Sequence, residues 1–189
     1  MCGFTGFLDL SASPQFDEGI IQRMMNAISH RGPNDQGAWT DPSCGIVLGH
    51  RRLSILDLSP AGHQPMSSSS GRFVIAFNGE IYNHLTIREE LPNRKWRGHS
   101  DTETLLEAID TWGVADTLSK LSGMFGFALW DRENRSLCLA RDRAGEKPVY
   151  YGWTGDTLIF GSELKALRQH PRFDAQVDRD ALCLYMRYS

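Results

Sequence analysis

Position two of this chain is a cysteine, directly after Met1. Cells commonly remove an initiator methionine that precedes a small residue, and Cys2 would then carry a thiol and the free α-amine together. A thiolate attacks carbonyl carbon far better than a thiol, whose ordinary pKa is about 8.5, so a catalytic cysteine needs a base. An α-amine titrates near about 7.7–8.0 and supplies that base without any histidine. Chance alone also places cysteines at position two, and a retained Met1 would abolish the amine.

Attack on a carbonyl creates an oxyanion, which two preset donors can hold. In FNGEIYN, Asn78 and Gly79 offer a side-chain amide and an unobstructed backbone N–H at the end of an apolar run. The same Asn-Gly pair also reads as a hairpin turn. In HRRLSI, Arg51 and Arg52 place two guanidinium groups where a strand ends, and alternation lets only one of them enter a site. In HSDTETLL, Ser100 and Glu103 spell a capping box, which puts Asp101 in the first turn of a helix. There Asp101 answers the helix dipole or binds a ligand ammonium. An arginine for an α-carboxylate, an aspartate for an α-ammonium, and a thiol with an oxyanion hole further out together suit glutamine.

Short blocks of Val, Ile, Phe and Leu separated by Gly, Pro, Asn and Ser must position these groups. They predict strands near 3–8, 36–40, 45–51, 72–78, 125–131, 136–141, 149–152 and 157–161. Helical spacing falls over 18–29, 83–91, 101–112 and 163–170. DRENRS, 131–136, reads as a hairpin turn, and SSSSG, 67–71, as a polar turn. Clustered strands with helices set apart point to an α+β layered fold, not to a doubly wound sheet. No phosphate-binding glycine loop follows a strand. DRDALCLYMRYS opens a patterned helix at which the chain stops, as a piece of something longer would, or as a natural C-terminal helix would.

With 189 residues, 41% of them hydrophobic, the chain can bury one substantial core. A formal charge of -3 with interspersed signs offers no basic stripe, so no nucleic acid partner is expected. No run approaches about 18 apolar residues and no signal-peptide pattern opens the chain, so neither a membrane nor export is expected and the cytoplasm is. Cys44, Cys138 and Cys183 sit in apolar runs and read as small core residues; no CxxC pair suggests a metal. The six histidines lack metal-ligand spacing and read as scaffold.

Eight blocks, MCGFTGF, HRGPNDQG, LGHRRLSILDLSPAGHQPM, FNGEIYNH, SDTETLLEA, LSGMFGFALWD, RDRAGEKPVYYG and FGSELKAL, run from residue 2 to about 167. In that order the chain resembles the N-terminal glutaminase domain of asparagine synthetase-like class II glutamine amidotransferases, of the N-terminal-nucleophile hydrolase superfamily. The resemblance implies an αββα four-layer sandwich with two stacked antiparallel sheets. It implies Cys2 as nucleophile, Asn78 and Gly79 as oxyanion hole, Arg52 and Asp101 as ligands of the glutamine carboxylate and amine, and Glu80 as a substrate neighbour. Leu53 and Ile55 occupy positions whose backbone lines the pocket, and Arg31 borders it without an assigned role. Asn34, Ala144 and Glu146 depart from the family pattern away from this group.

Whole synthetases of this family continue into an ATP-dependent domain whose SGGxDS loop is absent here. The implied organisation is a glutaminase domain over 2–170 and, over 171–189, the start of a link to a synthetase domain. That domain is the implied partner, a homodimer is admitted, and ATP and Mg would serve only that domain; none is implied for the glutaminase. The expected reaction releases ammonia from glutamine for transfer to aspartate or, as RDRAGEKPVYYG leans, to a sugar uronate in surface polysaccharide. A related hydrolase of another amide and a non-catalytic docking module are the alternatives.

Overall fold

Side chains alternate along a strand, and this chain puts apolar residues on both faces of most of its strands. The computed structural model describes residues 1–11, 17–91 and 94–188. Its strands are β1 (Gly3–Asp9), β2 (Asp35–Asp41), β3 (Ile46–Arg52), β4 (Met66–Ser67), β5 (Phe73–Ile81), β6 (Gly123–Asp131), β7 (Ser136–Arg141), β8 (Tyr150–Thr154) and β9 (Thr157–Gly161). The helices are α1 (Glu18–Ala27), α2 (His84–Glu89), α3 (Asp101–Trp112), α4 (Val114–Lys120), α5 (Leu164–Leu167) and α6 (Arg179–Tyr188). One sheet has the order β2-β3-β1-β9-β8 and the other β4-β5-β6-β7. Every pairing is antiparallel.

Three apolar layers hold four structural layers together. Phe4, Ile46, Leu48, Val74, Ala76, Ala128, Trp130 and Phe160 fill the space between the sheets. Their odd-numbered neighbours face outward. Phe7, Val47 and Ile159 pack under α1 through Ile20, Ile21, Met24 and Met25. Phe73, Ile75, Phe77, Phe127 and Leu129 pack under α3 through Leu105, Leu106 and Ile109. Burying a Leu, Ile, Phe or Met side chain is worth about 1.5–3 kcal/mol, so these layers are the main favourable contribution to the fold. The result is the αββα sandwich with two stacked antiparallel sheets.

Helix α1 begins at Asp17, whose side chain accepts from Gly19 N at 2.8 Å, and ends at Ala27 before a 3-10 turn over Ser29–Arg31. The helical spacing through Ser29 therefore ran two residues too far. Helices α2 and α5 are also shorter than their patterns, whereas α3 spans the predicted 101–112. The structure adds β4 and α4, which the patterns did not mark. Only half of the capping box forms. Ser100 Oγ accepts from Glu103 N at 3.2 Å, but the Glu103 carboxylate turns instead to Arg97 N and Gly98 N, at 2.8 and 3.0 Å. Cys44 and Cys138 are half-buried beside the core, but Cys183 is exposed on α6, which corrects its core placement. No residue of α6 is buried, and among the described residues no helix is long and apolar enough to cross a membrane.

Candidate active site

The even-numbered residues that fill the inter-sheet core continue past it at one end, and there they turn polar. On β1 and β5 the series Phe4 and Val74–Ala76 extends to Cys2, Asn78 and Glu80. On β3 Ile46 and Leu48 are followed by His50 and Arg52. Because Gly3 pairs with Arg51, the next position places Cys2 opposite Arg52. Of these, Cys2, Arg52, Asn78 and Glu80 line one cleft of about 100 Å³, together with Leu53, Ile55, Gly79 and Asp101. All eight residues singled out in the sequence are thus brought to a single cavity, with Ile55 at its mouth and 70% exposed.

Leu53 holds the thiol from both backbone atoms: its N–H donates to Cys2 Sγ at 3.3 Å, and Sγ donates to its carbonyl at 3.5 Å. Burial pushes the Cys2 thiol pKa up, opposed by the Leu53 N–H, the terminal ammonium and Arg52. A thiol kept protonated in this way needs a base to become a nucleophile.

Asn78 is 1% exposed, and its Nδ2 has no hydrogen-bond partner. A buried amide donor left unmade costs roughly 1–3 kcal/mol, so such a group marks a place where a ligand can repay it. The Asn-Gly pair is no hairpin: β5 runs straight through it, with Asn78 opposite Gly126 and Gly79 opposite Phe125. Tyr82 N donates to Ser122 O across the same ladder, which fixes its parity. The even residues of β5 therefore bond β6, and the N–H groups of Phe77, Gly79 and Ile81 point away from it. Phe77 N is taken by Gln64 Oε1 at 2.7 Å and Ile81 N by Asp101 Oδ2 at 2.9 Å. The Gly79 N–H lies between them, aimed at the cleft. A Cβ at Gly79 would collide with Met124 O, so this close approach of strands requires glycine.

Arg52 is 7% exposed and donates to the carbonyls of Ser59, at 3.1 Å, and Asp57. Gly62 lies so close that a Cβ there would meet the guanidinium. Among the described residues no carboxylate lies within ion-pair distance of Arg52, which suits the site to an external one. Its neighbour Arg51 faces away and donates to Gln36. On the opposite wall Asp101 is 6% exposed, and its oxygens accept from Ile81 N and from Thr102 N at 2.8 Å. Burial raises its pKa against those two donors.

Three further residues serve this end of the fold: Gln64 and Lys147, which the sequence did not mark, and Arg31, placed at the pocket border without a role. Gln64 fixes β5 to Thr102 of α3 through its two amide ends. Arg31 Nε donates to Cys2 O at 2.8 Å while its Nη1 is held by Glu163 at 2.8 Å. Lys147 reaches the cleft from the loop after β7. Buried His50 donates from Nε2 to Phe77 O at 2.9 Å, tying the two sheets one residue before Asn78. Burial holds its pKa down at about 4, so it stays neutral near pH 7. Among the described residues no cluster of His, Cys, Asp and Glu is placed to bind a metal ion.

A buried thiol, two convergent N–H donors, an unpaired guanidinium and a carboxylate make a pocket for an amino acid bearing a side-chain carbonyl. Comparison with known proteins agrees with that chemistry. Residues 1–189 match the family described as a glutamine amidotransferase domain. Asparagine synthetase (glutamine-hydrolyzing) 3 of Bacillus subtilis is 39% identical over 189 residues, covering 96% of this chain and 30% of that protein. Amidase chry2 of Gibberella zeae is 34% identical over 176 residues, covering 88% of this chain and 26% of that one. The chain thus spans about a third or less of these curated relatives. In fold it resembles a glutamine phosphoribosylpyrophosphate amidotransferase of B. subtilis, with a TM-score of 0.71 at 22% identity over 88% of this chain and 43% of that one. The chain belongs to the glutamine amidotransferase domain family.

Proposed function

We propose that this chain hydrolyses L-glutamine to L-glutamate and ammonia with Cys2 as nucleophile, once Met1 is removed. The observation that carries this reading is the buried, unpartnered Asn78 Nδ2 beside the Gly79 N–H, in the cleft that holds the thiol. Arg52 pairs with the substrate α-carboxylate and Asp101 with its α-ammonium, with Glu80, Leu53 and Ile55 around them. The α-amine of Cys2 takes the thiol proton, and Sγ bonds to the side-chain amide carbon. The carbonyl electron pair moves onto oxygen, where Asn78 Nδ2 and Gly79 N–H receive it. Collapse breaks the C–N bond, the proton held by the amine goes to nitrogen, and ammonia leaves a thioester. Water, deprotonated by the same amine, then releases glutamate and restores the thiol.

No metal or cofactor enters these steps. Ammonia passes internally to an ATP- and Mg-dependent synthetase domain outside this chain, joined through the segment 171–189 after the 2–170 glutaminase. Relatives named asparagine synthetases favour aspartate as the acceptor; a sugar uronate in lipopolysaccharide assembly is the other acceptor. The cytoplasm suits a nucleophile that must remain a reduced thiol.

Glutamate release from L-glutamine, measured beside Cys2→Ala with an intact mass that confirms loss of Met1, tests the reading. Turnover is expected in the processed chain and none in the variant. Equal rates in the two would remove Cys2 from the mechanism.

A further inference from the structure

Lys147 is 6% exposed and lines the cleft, yet Nζ has no acceptor there except Met1 Sδ, at 3.0 Å. Among the described residues no carboxylate is within ion-pair reach of it. A buried ammonium with only a thioether for company is costly, and the fold holds it in place deliberately. The carboxylate of Asp142 accepts from Phe125 N, Glu146 N and Lys147 N at 3.2, 2.9 and 3.0 Å, winding the loop after β7 around itself. Phe125 is the residue paired with Gly79, so one carboxylate ties the base of Lys147 to the wall that carries the oxyanion donors.

Five bonds separate Met1 Sδ from the nitrogen of Cys2, which sets the ammonium within about 9 Å of that atom. Most other charges facing Cys2 are already engaged. From the turn after α1, Arg31 is held by Glu163; from β3 and its loop, Arg52 is held by carbonyls and Asp57 by Ser59 N and His99 N. From α3, Asp101 is held by two backbone N–H groups, and Glu80 of β5 stands at the cleft edge. Lys147 is the cation among them without an oxygen partner.

Building on the proposed glutaminase reaction, we infer that Lys147 is a positioning residue for the base: its ammonium disfavours protonation of the α-amine of Cys2 to an ammonium and keeps that amine free at neutral pH. A unit charge at such a distance, in surroundings of effective dielectric about 20, shifts a neighbouring pKa by roughly 1.5 units. The side chain touches neither the thiol nor the reacting carbon in this scheme.

The test compares the processed wild-type chain with Lys147→Met, Lys147→Gln and Lys147→Arg, each checked by intact mass and circular dichroism. Two readouts are taken: titration of the α-amine by NMR in chains carrying 15N-cysteine, and the acid limb of kcat/KM for glutamine hydrolysis. Both neutral variants are expected to raise the amine pKa by about 1.5 units and to move the acid limb to higher pH by the same amount. Lys147→Arg is expected to keep the wild-type values. An amine that titrates at one pH in wild type and in a folded neutral variant would overturn the inference, whatever the activity. An amine shift in a chain that hydrolyses no glutamine would uphold the role of Lys147 and refute the proposed reaction instead.

Discussion

The two ends of β5 are built from the same kinds of group and finish in opposite conditions. Before its first residue, the Arg72 guanidinium grips the Asp131 carboxylate at 3.0 and 2.6 Å. Asp131 also accepts from Glu133 N, Asn134 N and Asn134 Nδ2. Hydrogen bonds from Arg72 and the turn outweigh burial and hold its pKa at about 2. At the far end, Arg52 has no carboxylate, Asn78 Nδ2 has no acceptor, and the Gly79 N–H faces a cleft. One end of the strand is a finished turn and the other an unfinished one, and the unmet bonds at the second are what a ligand would complete. A buried polar group without a partner lowers stability, so its persistence in a well-packed sheet is a signature of binding.

Removing either charge at the open end tests this contrast most severely. Arg52→Ala and Asp101→Ala are each expected to weaken glutamine binding by roughly 2–5 kcal/mol, read as a higher half-saturating concentration. Since burial raises the Asp101 pKa, that affinity should fall on acidification from above the ordinary carboxylate range. Unchanged half-saturation in both variants would mean that the open end binds something other than an amino acid. Asn78→Ala is expected to lower kcat by about 10²–10³, with KM little changed, if its amide meets charge only in the transition state. A rise confined to KM would make it a ground-state contact.

His50, between the two ends, sets the acid sensitivity. Its folded pKa of about 4 lies below the ordinary 6.5, so the unfolded chain binds the extra proton first. Its contribution is whole above pH 6.5 and disappears as pH falls to about 4, a loss of roughly 3 kcal/mol that denaturant melts across this window can measure. His50→Gln should remove its share of that pH dependence and leave the share of His170, which burial also holds at about 4. The smallest effect belongs to the closed end. Arg72→Ala should lower Tm and leave glutamine turnover as in wild type, because Asp131 keeps its three hydrogen bonds from the turn and the pair lies away from the cleft. A large loss of turnover would show that the two ends are coupled along β5.

Much of the open end was legible in the sequence because strand alternation is short-ranged. Reading Arg51 and Arg52 as facing opposite ways needed only a period of two, and the structure sends Arg52 inward. The Asn-Gly pair misled as a turn signal because the pairing that straightens it, Asn78 with Gly126, lies 48 residues away along the chain. Gln64 and Lys147 were silent for the same reason: each is a single polar residue in a loop, given its task by contacts with distant strands, and Arg31, placed at the pocket border, takes its task from Cys2 O and Glu163. The reciprocal half of the capping box failed because Arg97 and two backbone N–H groups compete for Glu103. Helix α4 starts directly after Gly113, whose φ of +83° lets the chain turn without a connecting loop, so no break separated its pattern from that of α3.

The bond from His50 to Phe77 O has a metric meaning. It fastens β3, two residues before Arg52, to β5, one residue before Asn78. Arg52 and the Asn78 and Gly79 donors therefore sit on jaws whose separation is set by the packing of the sandwich. For the proposed reaction such a caliper would read molecular length, and an amino acid one methylene shorter than glutamine is expected to reach the guanidinium or the amide donors, but not both at once. Discrimination against asparagine would then reside in the spacing of two sheets, far from any atom that differs between the two molecules.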